Sequence, residues 1–322
     1  MMSSFLLLLL AFILLFFGGD ILVRGAVSLA LKINVSNLVV GMTVVAFATS
    51  APELFVSIQA ILKKSSNIAL GNVIGSNIAN IALVLGATAI IFRVKISRQS
   101  LSLSYPLMLF SSVILGFTLY FFNGIPAFCG FLFVLFLFLF VFILILDSRR
   151  NQLHEDNKHI DITEKSSNHS LLKSLIFLLL GVLFLKFGAD LLVDSTRILA
   201  KYFGVSDRVI AVTVVAIGTS IPELATSIIA AFKKEDGLAV GNLIGSNIFN
   251  IFLVLGLTSI ITSVKIDDPA ILFYDYFWMI GISLLFGVFI YIYSRTQVSR
   301  KEGVFLFILY LFYIYHSIYS VI

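Results

Sequence analysis

Residues 41–86 decide the fold, because the stretch GMTVVAFATSAPELFVSIQAILKKSSNIALGNVIGSNIANIALVLG returns 170 residues later. Residues 211–256 read AVTVVAIGTSIPELATSIIAAFKKEDGLAVGNLIGSNIFNIFLVLG, and 28 of the 46 aligned positions are identical without a gap. A match of this length is far above chance and marks an internal repeat. Outside this window the match is weaker but persists, since Asp20 aligns with Asp190. The chain is therefore built from two related halves.

The composition is that of a membrane protein. Sixty per cent of the 322 residues are hydrophobic, 12% are charged and the mean hydropathy is +1.08. A soluble domain of this length cannot bury that much apolar surface, so we expect the lipid bilayer to surround most of the chain. The net charge of +5 is small and no long basic run exists, which argues against nucleic acid as a partner. The single cysteine, Cys129, excludes an intrachain disulfide and a metal–thiolate cluster.

Apolar segments long enough to cross a bilayer occur ten times, which predicts an all-α, polytopic membrane fold. The predicted spans are Phe5–Leu31, Leu38–Leu62, Ile68–Ile91, Leu101–Phe122, Ile125–Leu146, Leu171–Ala200, Val209–Phe232, Leu238–Ile261, Ile271–Tyr293 and Gly303–Val321. The polar stretch Asp147–Ser170 separates the first five from the last five and is interpreted as a flexible linker. We therefore predict a first five-helix repeat over residues 1–147, a cytoplasmic linker loop over 148–170 and a second five-helix repeat over 171–322.

The two repeats are predicted to be inverted. An odd number of spans in each half places the second half upside-down, and inverted repeats hold their substrate near the midplane between the halves. With the N-terminus outside, the loops on the cytoplasmic side hold about 14 lysines and arginines and the opposite loops hold about 6. The positive-inside rule therefore favours a multi-pass protein of the cell membrane with both termini extracytoplasmic.

A first polar cluster interrupts an apolar helix in each half. It reads AFATSAPE over residues 46–53 and AIGTSIPE over residues 216–223. Pro52 and Pro222 lack the amide hydrogen that a helix interior needs, so we expect a kink that loosens carbonyls on the preceding turn. These are the carbonyls of Ala46, Thr49, Ala216 and Thr219, and the hydroxyls of Ser50 and Ser220 add further oxygens. Such groups need a partner inside a membrane, and calcium or sodium, which prefer oxygen ligands, would satisfy them.

Glu53 and Glu223 follow the two prolines and fall near the middle of their helices. A buried carboxylate there is costly unless it is neutralised. At equivalent positions of an inverted repeat the two carboxylates are expected to converge, and together they match one divalent ion or several monovalent ions. Because one kind of ion excludes the other, this pair is a physical basis for exchange. The alternative is that each glutamate is protonated and hydrogen-bonded.

The second polar cluster, GNVIGSNIAN over residues 71–80, recurs as GNLIGSNIFN over residues 241–250. Glycines four residues apart predict close helix packing, and several of the asparagines predict hydrogen bonds between helices or to a freed carbonyl. The glycines are Gly71, Gly75, Gly241 and Gly245, and the asparagines are Asn72, Asn77, Asn242 and Asn247. Ser76 and Asn80 share one helix face, as do their equivalents Ser246 and Asn250. For Asp20 and Asp190 we predict a role in helix packing or in a vestibule rather than as ion ligands.

The duplicated TSxPE and GNxIGSNIxN motifs resemble the two alpha-repeats of the sodium/calcium exchanger family, and the chain is similar to its small prokaryotic members. The resemblance implies ion sites built from Thr49, Ser50, Glu53, Ser76 and Asn80, from Thr219, Ser220, Glu223, Ser246 and Asn250, and from the carbonyls of Ala46 and Ala216. It implies that Glu53 and Glu223 bridge a calcium site and flanking sodium sites. Potassium-dependent relatives carry an acid at the position of Asn250, so this asparagine argues against potassium co-transport.

The predicted function is secondary active antiport of sodium against calcium by alternating access, in which the first and sixth helices slide across the remaining eight. Two alternatives stay open: an exchanger coupled to protons or potassium, and a cation channel, which also places acids and freed carbonyls at mid-membrane. Neither a P-loop nor a dinucleotide motif occurs, and no histidine or lysine base accompanies Ser50 or Ser220. We therefore expect no enzyme activity, no cofactor, and no partners beyond the two ions and the bilayer.

Overall fold

The computed structural model describes residues 2–156, 170–202, 218–294 and 296–319, and most of these residues are helical. The helices are α1 (Met2–Ile33), α2 (Asn37–Val40), α3 (Ala46–Thr49), α4 (Ala51–Leu62), α5 (Ser66–Ala79), α6 (Gly86–Ile91), α7 (Tyr105–Phe122), α8 (Ala127–Asp156), α9 (Leu171–Tyr202), α10 (Ile221–Phe232), α11 (Asp236–Phe249), α12 (Gly256–Ile261), α13 (Tyr276–Val288) and α14 (Arg300–Tyr319). π-Helical segments lie at Gly41–Val45, Asn80–Leu85, Ser100–Ser104, Asn250–Leu255, Ile271–Asp275 and Phe289–Tyr293. The strands are β1 (Val94–Lys95), β2 (Gly124–Ile125), β3 (Val264–Lys265) and β4 (Gln297–Val298).

The predicted helical membrane architecture is confirmed. Within the described ranges, 7 helices are long and apolar enough to cross a membrane, or 8 if the bent pair Asn37–Thr49 and Ala51–Leu62 is one span. The two remaining predicted spans are Val209–Phe232 and Gly303–Val321. The first ends in α10, and its residues before 218 lie outside the described ranges. The second corresponds to α14. Helix α8 continues through Asp156, past the predicted end of the fifth span at Leu146, and residues 157–169 of the predicted linker lie outside the described ranges.

The core of the molecule lies in two equivalent spans. Ser66–Ile91 and Asp236–Ile261 are each 78% buried, whereas the other spans that cross in one piece are 28–44% buried. These two spans carry the GNxIGSNIxN motifs, so the polar cluster of each half lies in the best-packed part of the fold. The less buried spans present large apolar side chains such as Phe131, Phe138 and Phe142 on the outside, where lipid is the favourable neighbour.

Helices α1 and α9 pack closely and run antiparallel. A Cβ atom added to Gly18 would lie 2.9 Å from the Leu185 nitrogen, and one added to Gly25 would lie 2.9 Å from the Leu178 nitrogen. Residues later in α1 therefore contact residues earlier in α9, which shows that the two helices are antiparallel. Small residues at such a crossing let two helix backbones approach, which is a common way of associating helices in lipid.

The other contacts between the halves come as two equivalent sets, one made by each half on the other. Strand β1 pairs with β4, with Val94 opposite Val298, and β2 pairs with β3, with Ile125 opposite Val264. Helix α14 packs on α6, and α8 packs on α12. Since β1 and β3 are equivalent in the repeat, as are α6 and α12, each half presents corresponding surfaces to the other half.

Candidate metal site

The structure breaks the first-half helix where the sequence predicts a kink. Residues 37–49 and 51–62 form two helical pieces bent by 43°, and Ser50 at the break has φ −82° and ψ 2°. Pro52 occupies the first turn of α4, where a missing amide hydrogen is tolerated. Glu53 lies in the same turn, so its carboxylate sits at the positive end of a helix dipole.

The second half repeats this arrangement and brings the two acids together. Ser220 precedes α10 with φ −88° and ψ 3°, and Pro222 and Glu223 lie in the first turn. Glu53 is 1% exposed and Glu223 is 0% exposed. The two carboxylates are close enough to repel each other. Helix α4 packs on the π-helical segment that begins at Asn250, and α10 packs on the segment that begins at Asn80, so each acid lies on a helix that is packed against the motif of the opposite half.

Oxygen atoms of the predicted site are left without hydrogen-bond partners among the described residues. These buried atoms are Ser50 Oγ, Glu53 Oε2, Asn80 Oδ1, Ser220 Oγ, both carboxylate oxygens of Glu223, and Asn250 Oδ1. A buried polar atom without a partner costs about 1–3 kcal/mol, so such a cluster is expensive unless a ligand binds it. Hard cations prefer oxygen donors of this kind. No group of three or more His, Cys, Asp or Glu that could hold a metal ion occurs in the described part, so the charge available in this cluster is that of the two carboxylates.

A network of asparagines orients the two amides at the site. The Asn80 side chain donates its Nδ2 hydrogen to Asn247 Oδ1 at 3.4 Å, and Asn250 donates to Asn77 Oδ1 at 3.1 Å. Asn77 in turn donates to the Asn247 carbonyl at 3.2 Å. The prediction that Asn77 bonds a neighbouring helix is confirmed. Because the nitrogen of each site amide is held by the opposite half, its Oδ1 atom is left to accept, a role for Asn77 and Asn247 that the sequence did not reveal.

The serines and threonines of the predicted set have different neighbours. Ser76 donates to Glu53 Oε1 at 3.4 Å. Thr49 crosses between the halves, since its hydroxyl donates to Asn242 Oδ1 at 3.1 Å and lies 3.4 Å from Ser246 Oγ. Thr49 thus binds protein atoms, whereas its equivalent Thr219 is only half-buried and lines a cavity.

The Ala46 carbonyl is not freed as expected, and its role as an ion ligand stays a prediction. We expected the kink to free this oxygen, but it accepts the Ser50 N–H at 2.9 Å and lies 3.4 Å from the Thr49 hydroxyl. The chain turns sharply only at Ser50, so the last hydrogen bond of the preceding helix survives. The equivalent residue Ala216 lies outside the described residues, and its predicted role stays a prediction.

Asn72 and two glycines, Gly241 and Gly245, make helix–helix contacts next to the candidate site. Asn72 donates to the Glu53 carbonyl at 3.2 Å and to Ser57 Oγ at 3.0 Å, which confirms its predicted interhelix role. Close packing is confirmed for Gly241 and Gly245. A Cβ atom on Gly241 would lie 2.4 Å from the Leu38 carbonyl oxygen, and one on Gly245 would lie 2.6 Å from Met42. Around Gly71 and Gly75, a Cβ atom meets nothing within 4 Å; the segment equivalent to their expected neighbours lies outside the described residues.

The two mid-helix aspartates have different surroundings. Asp20 forms ion pairs with Arg24 at 2.8 Å and with Lys233 at 2.5 Å, so its predicted packing role is confirmed. Asp190 lines a cavity of about 340 Å³ together with Lys186, Asp194, Thr219 and other residues. The predicted vestibule role thus agrees with the surroundings of Asp190.

Comparison with known proteins gives a consistent result over nearly the whole chain. The sequence profile of the family described as sodium/calcium exchanger protein matches residues 3–146 and 173–319. Inner membrane protein YrbG of Escherichia coli (strain K12) is 35% identical over 309 residues, which cover 95% of this chain and 94% of that protein. The sodium/calcium exchanger MaX1 of Methanosarcina acetivorans is 33% identical over 341 residues, which cover 95% and 96%.

A solved structure has the same fold. The sodium-calcium exchanger NCX_Mj, soaked with 2.5 mM Na+ and 0.1 mM Ca2+, superposes with a TM-score of 0.80 at 29% sequence identity. The match covers 97% of this chain and 97% of that chain.

Proposed function

The chain belongs to the sodium/calcium exchanger protein family, and from this premise we propose that it exchanges sodium for calcium across the cytoplasmic membrane by alternating access. Members of this family are transporters and not enzymes, and cation/calcium exchange is the family's activity. The proposal concerns the coupling ion, the residues that bind the ions and the route by which the ions cross.

The observation that carries the proposal is the pair of buried carboxylates, Glu53 and Glu223, among oxygen atoms that have no hydrogen-bond partner in the described part of the chain. Two like charges this close in a low-dielectric interior repel strongly unless cations lie between or beside them. One calcium ion, or two or more sodium ions, neutralises the pair. Because either set of ions occupies the same oxygens, sodium that enters from one side displaces calcium toward the other.

The proposed ligands are the residues predicted from the sequence. They are Thr49, Ser50, Glu53, Ser76 and Asn80 with the Ala46 carbonyl in one half, and Thr219, Ser220, Glu223, Ser246 and Asn250 with the Ala216 carbonyl in the other. Support is strongest for the six residues with unpartnered oxygens, which are Ser50, Glu53, Asn80, Ser220, Glu223 and Asn250. The amide at position 250 keeps the site at two acids, which favours sodium over potassium as the coupling ion.

The proposed architecture is ten membrane spans in two inverted halves, residues 1–147 and 171–322, joined by a cytoplasmic linker at 148–170. Helices α1 and α9 are equivalent in the repeat yet run antiparallel, as two halves of opposite orientation require. The distribution of lysine and arginine supports a cytoplasmic linker and extracytoplasmic termini.

Uptake of radioactive calcium into proteoliposomes tests the function directly. With sodium inside and none outside, we expect calcium to accumulate in a saturable manner that stops when the sodium gradient is dissipated. Parallel gradients of lithium, potassium and protons identify the coupling ion. Calcium flux of the same size without any sodium gradient would instead favour a channel.

Ser50→Ala and Ser220→Ala distinguish a ligand from a structural hydroxyl. Because neither hydroxyl has a described partner, its loss is expected to leave the unfolding temperature unchanged or raise it. If the hydroxyls bind the ions, each substitution should raise the calcium concentration for half-maximal uptake about 3- to 10-fold. Both quantities are measured on the same purified protein.

Ser57→Ala is the matched control for these two variants. Ser57 is fully buried, and its hydroxyl accepts the Asn72 hydrogen bond. We therefore expect this substitution to lower the unfolding temperature with little change in the calcium dependence. The opposite pattern, with stability lost and calcium affinity kept in the Ser50 and Ser220 variants, would remove those hydroxyls from the site.

A further inference from the structure

Two equivalent surfaces of the protein are in different states. Helix α10 packs directly on α1, where the Ile229 side chain fills the space beside Gly19. Among the described residues, its counterpart α4 has no comparably close packing on α9. A cavity of about 340 Å³ lies there, with Pro52 and Val56 of α4 on one side and Val193 of α9 on the other. One helix pair is therefore closed and the equivalent pair is open.

An ion pair fastens the closed surface. Lys233, the residue that caps the end of α10, lies 2.5 Å from Asp20 Oδ1 and donates to the Asp20 carbonyl at 3.3 Å. Their side chains are 24% and 20% exposed, so the pair is largely shielded. Arg24 also contacts Asp20, at 2.8 Å, but its side chain is 63% exposed.

The open surface also has a lysine and an aspartate, but these two residues do not form an ion pair. Lys63 caps the end of α4 and is equivalent to Lys233, and Asp190 is equivalent to Asp20. Among the described residues neither Lys63 nor Asp190 has an ion-pair partner. Asp190 faces the cavity together with Lys186 and Asp194. The open surface therefore has a lysine and a carboxylate that could pair if α4 moved onto α9.

The two surfaces lie toward opposite ends of the α1–α9 pair. Gly18 and Leu185 mark one level of the crossing. Asp20 lies beyond this level in the direction in which α1 runs, and Asp190 lies beyond it in the direction in which α9 runs. Because the helices are antiparallel, Asp20 and Asp190 are displaced from this level in opposite directions along the helix pair.

We propose that Asp20–Lys233 and Asp190–Lys63 are alternating latches that position α1 and α9 on the core during exchange, one latch closed while the other is open. The proposal rests on the alternating access argued above. In a protein with inverted halves, the opposite-facing state is reached when each half takes up the conformation of the other. The surface closed here by Asp20 and Lys233 then opens, and Lys63 closes on Asp190.

The latches set the balance between the two states because a shielded ion pair is gained on one side as it is lost on the other. The two aspartates have different charged neighbours on their own helices: Asp20 has Arg24 one turn away, whereas Asp190 has Lys186 one turn before it and Asp194 one turn after it. The carboxylates of Asp190 and Asp194 outnumber the Lys186 ammonium at the open cavity, and this net negative charge favours the approach of cations.

Thiol accessibility measures the two states without any transported ion. In a background with Cys129→Ala, which removes the chain's single cysteine, one reporter is Val193→Cys in the cavity and the other is Ile229→Cys at the closed surface. A membrane-impermeant thiol reagent is applied from either side, in buffer free of sodium and calcium. Wild-type latches are expected to give fast modification at position 193 and slow modification at position 229.

Breaking one latch should move the two reporters in opposite directions. With Lys233→Met, we expect modification at position 229 to become about 5- to 10-fold faster and that at position 193 to slow at least about 2-fold, as a shift of a two-state balance requires. Lys63→Met should slow modification at position 229 instead. Lys233→Arg retains the charge and should restore the wild-type rates.

Arg24→Gln is the control, since it removes a largely exposed charge and leaves Asp20 paired with Lys233. Its modification rates should match the wild type. Unchanged rates in Lys233→Met, or rates that rise together at both reporters, would overturn the latch. Failure of sodium-driven calcium uptake in the wild type would overturn the proposed function but leave this accessibility result readable.

Discussion

Replacing either Glu53 or Glu223 with glutamine is expected to abolish sodium-driven calcium uptake while the protein still folds. Each substitution keeps the shape of the side chain and removes one of the two negative charges. Removing one partner of a buried charge interaction costs about 3–5 kcal/mol, which corresponds to a loss of at least about 100-fold in ion affinity. Uptake in proteoliposomes and calcium binding by calorimetry measure the two consequences separately.

The fold should tolerate these two substitutions. In the absence of cations, glutamine relieves the repulsion between the carboxylates, so the unfolding temperature of each variant should equal or exceed that of the wild type. Glu302→Gln is the matched control. Glu302 is also buried, but it accepts bonds from Ser294 Oγ at 2.7 Å and from the Ser299 N–H at 2.6 Å, at the start of α14. It should keep exchange activity; activity near the wild-type level in a Glu53 or Glu223 variant would remove that acid from the site.

The second large effect is expected from Gly241→Val. A Cβ atom at this position would lie 2.4 Å from the Leu38 carbonyl oxygen, 3.0 Å from the Met42 nitrogen and 3.2 Å from the Gly41 Cα atom. All three are backbone atoms, so the neighbouring helix itself has to move. Overpacking of a core costs about 1–3 kcal/mol, and we expect a loss at or above the upper end of this range. Thermal unfolding in detergent measures it.

Gly281→Val separates this clash from the general effect of valine in a helix. Gly281 lies in α13, and nothing is within 4 Å of its added Cβ atom. The substitution should leave the unfolding temperature nearly unchanged. An equal loss of stability in both variants would mean that the crossing of Gly41 and Gly241 is not a tight backbone contact.

The repeat made the centre of the molecule predictable. An internal duplication can place equivalent residues on both sides of one axis, so the proximity of Glu53 and Glu223 followed from their positions in the sequence. The kink before Pro52 followed from the chemistry of proline. The pairing of Asn72 with a neighbouring helix followed from the cost of an unpaired amide in an apolar helix.

Differences between the two halves were not predictable, because the motifs are nearly identical in sequence. Thr49 is buried against Asn242, whereas Thr219 lines a cavity. In the proposed alternating-access cycle, that difference corresponds to one of two states, and a sequence describes both states at once. The Ala46 carbonyl is not freed by the kink for a local reason. The backbone changes direction at Ser50, so the hydrogen bond from the Ser50 N–H to the Ala46 carbonyl remains.

The exchanged strand and helix contacts have a consequence for assembly. In the first half, β1 and α6 contact β4 and α14 of the second half. In the second half, the equivalent elements β3 and α12 contact β2 and α8 of the first half. This is the self-complementary interface of a twofold homodimer. Two separate polypeptides, divided within 157–169, are therefore expected to present matching surfaces to each other in a bilayer, and in the proposed inverted arrangement a single half inserted in both orientations would form the same set of contacts.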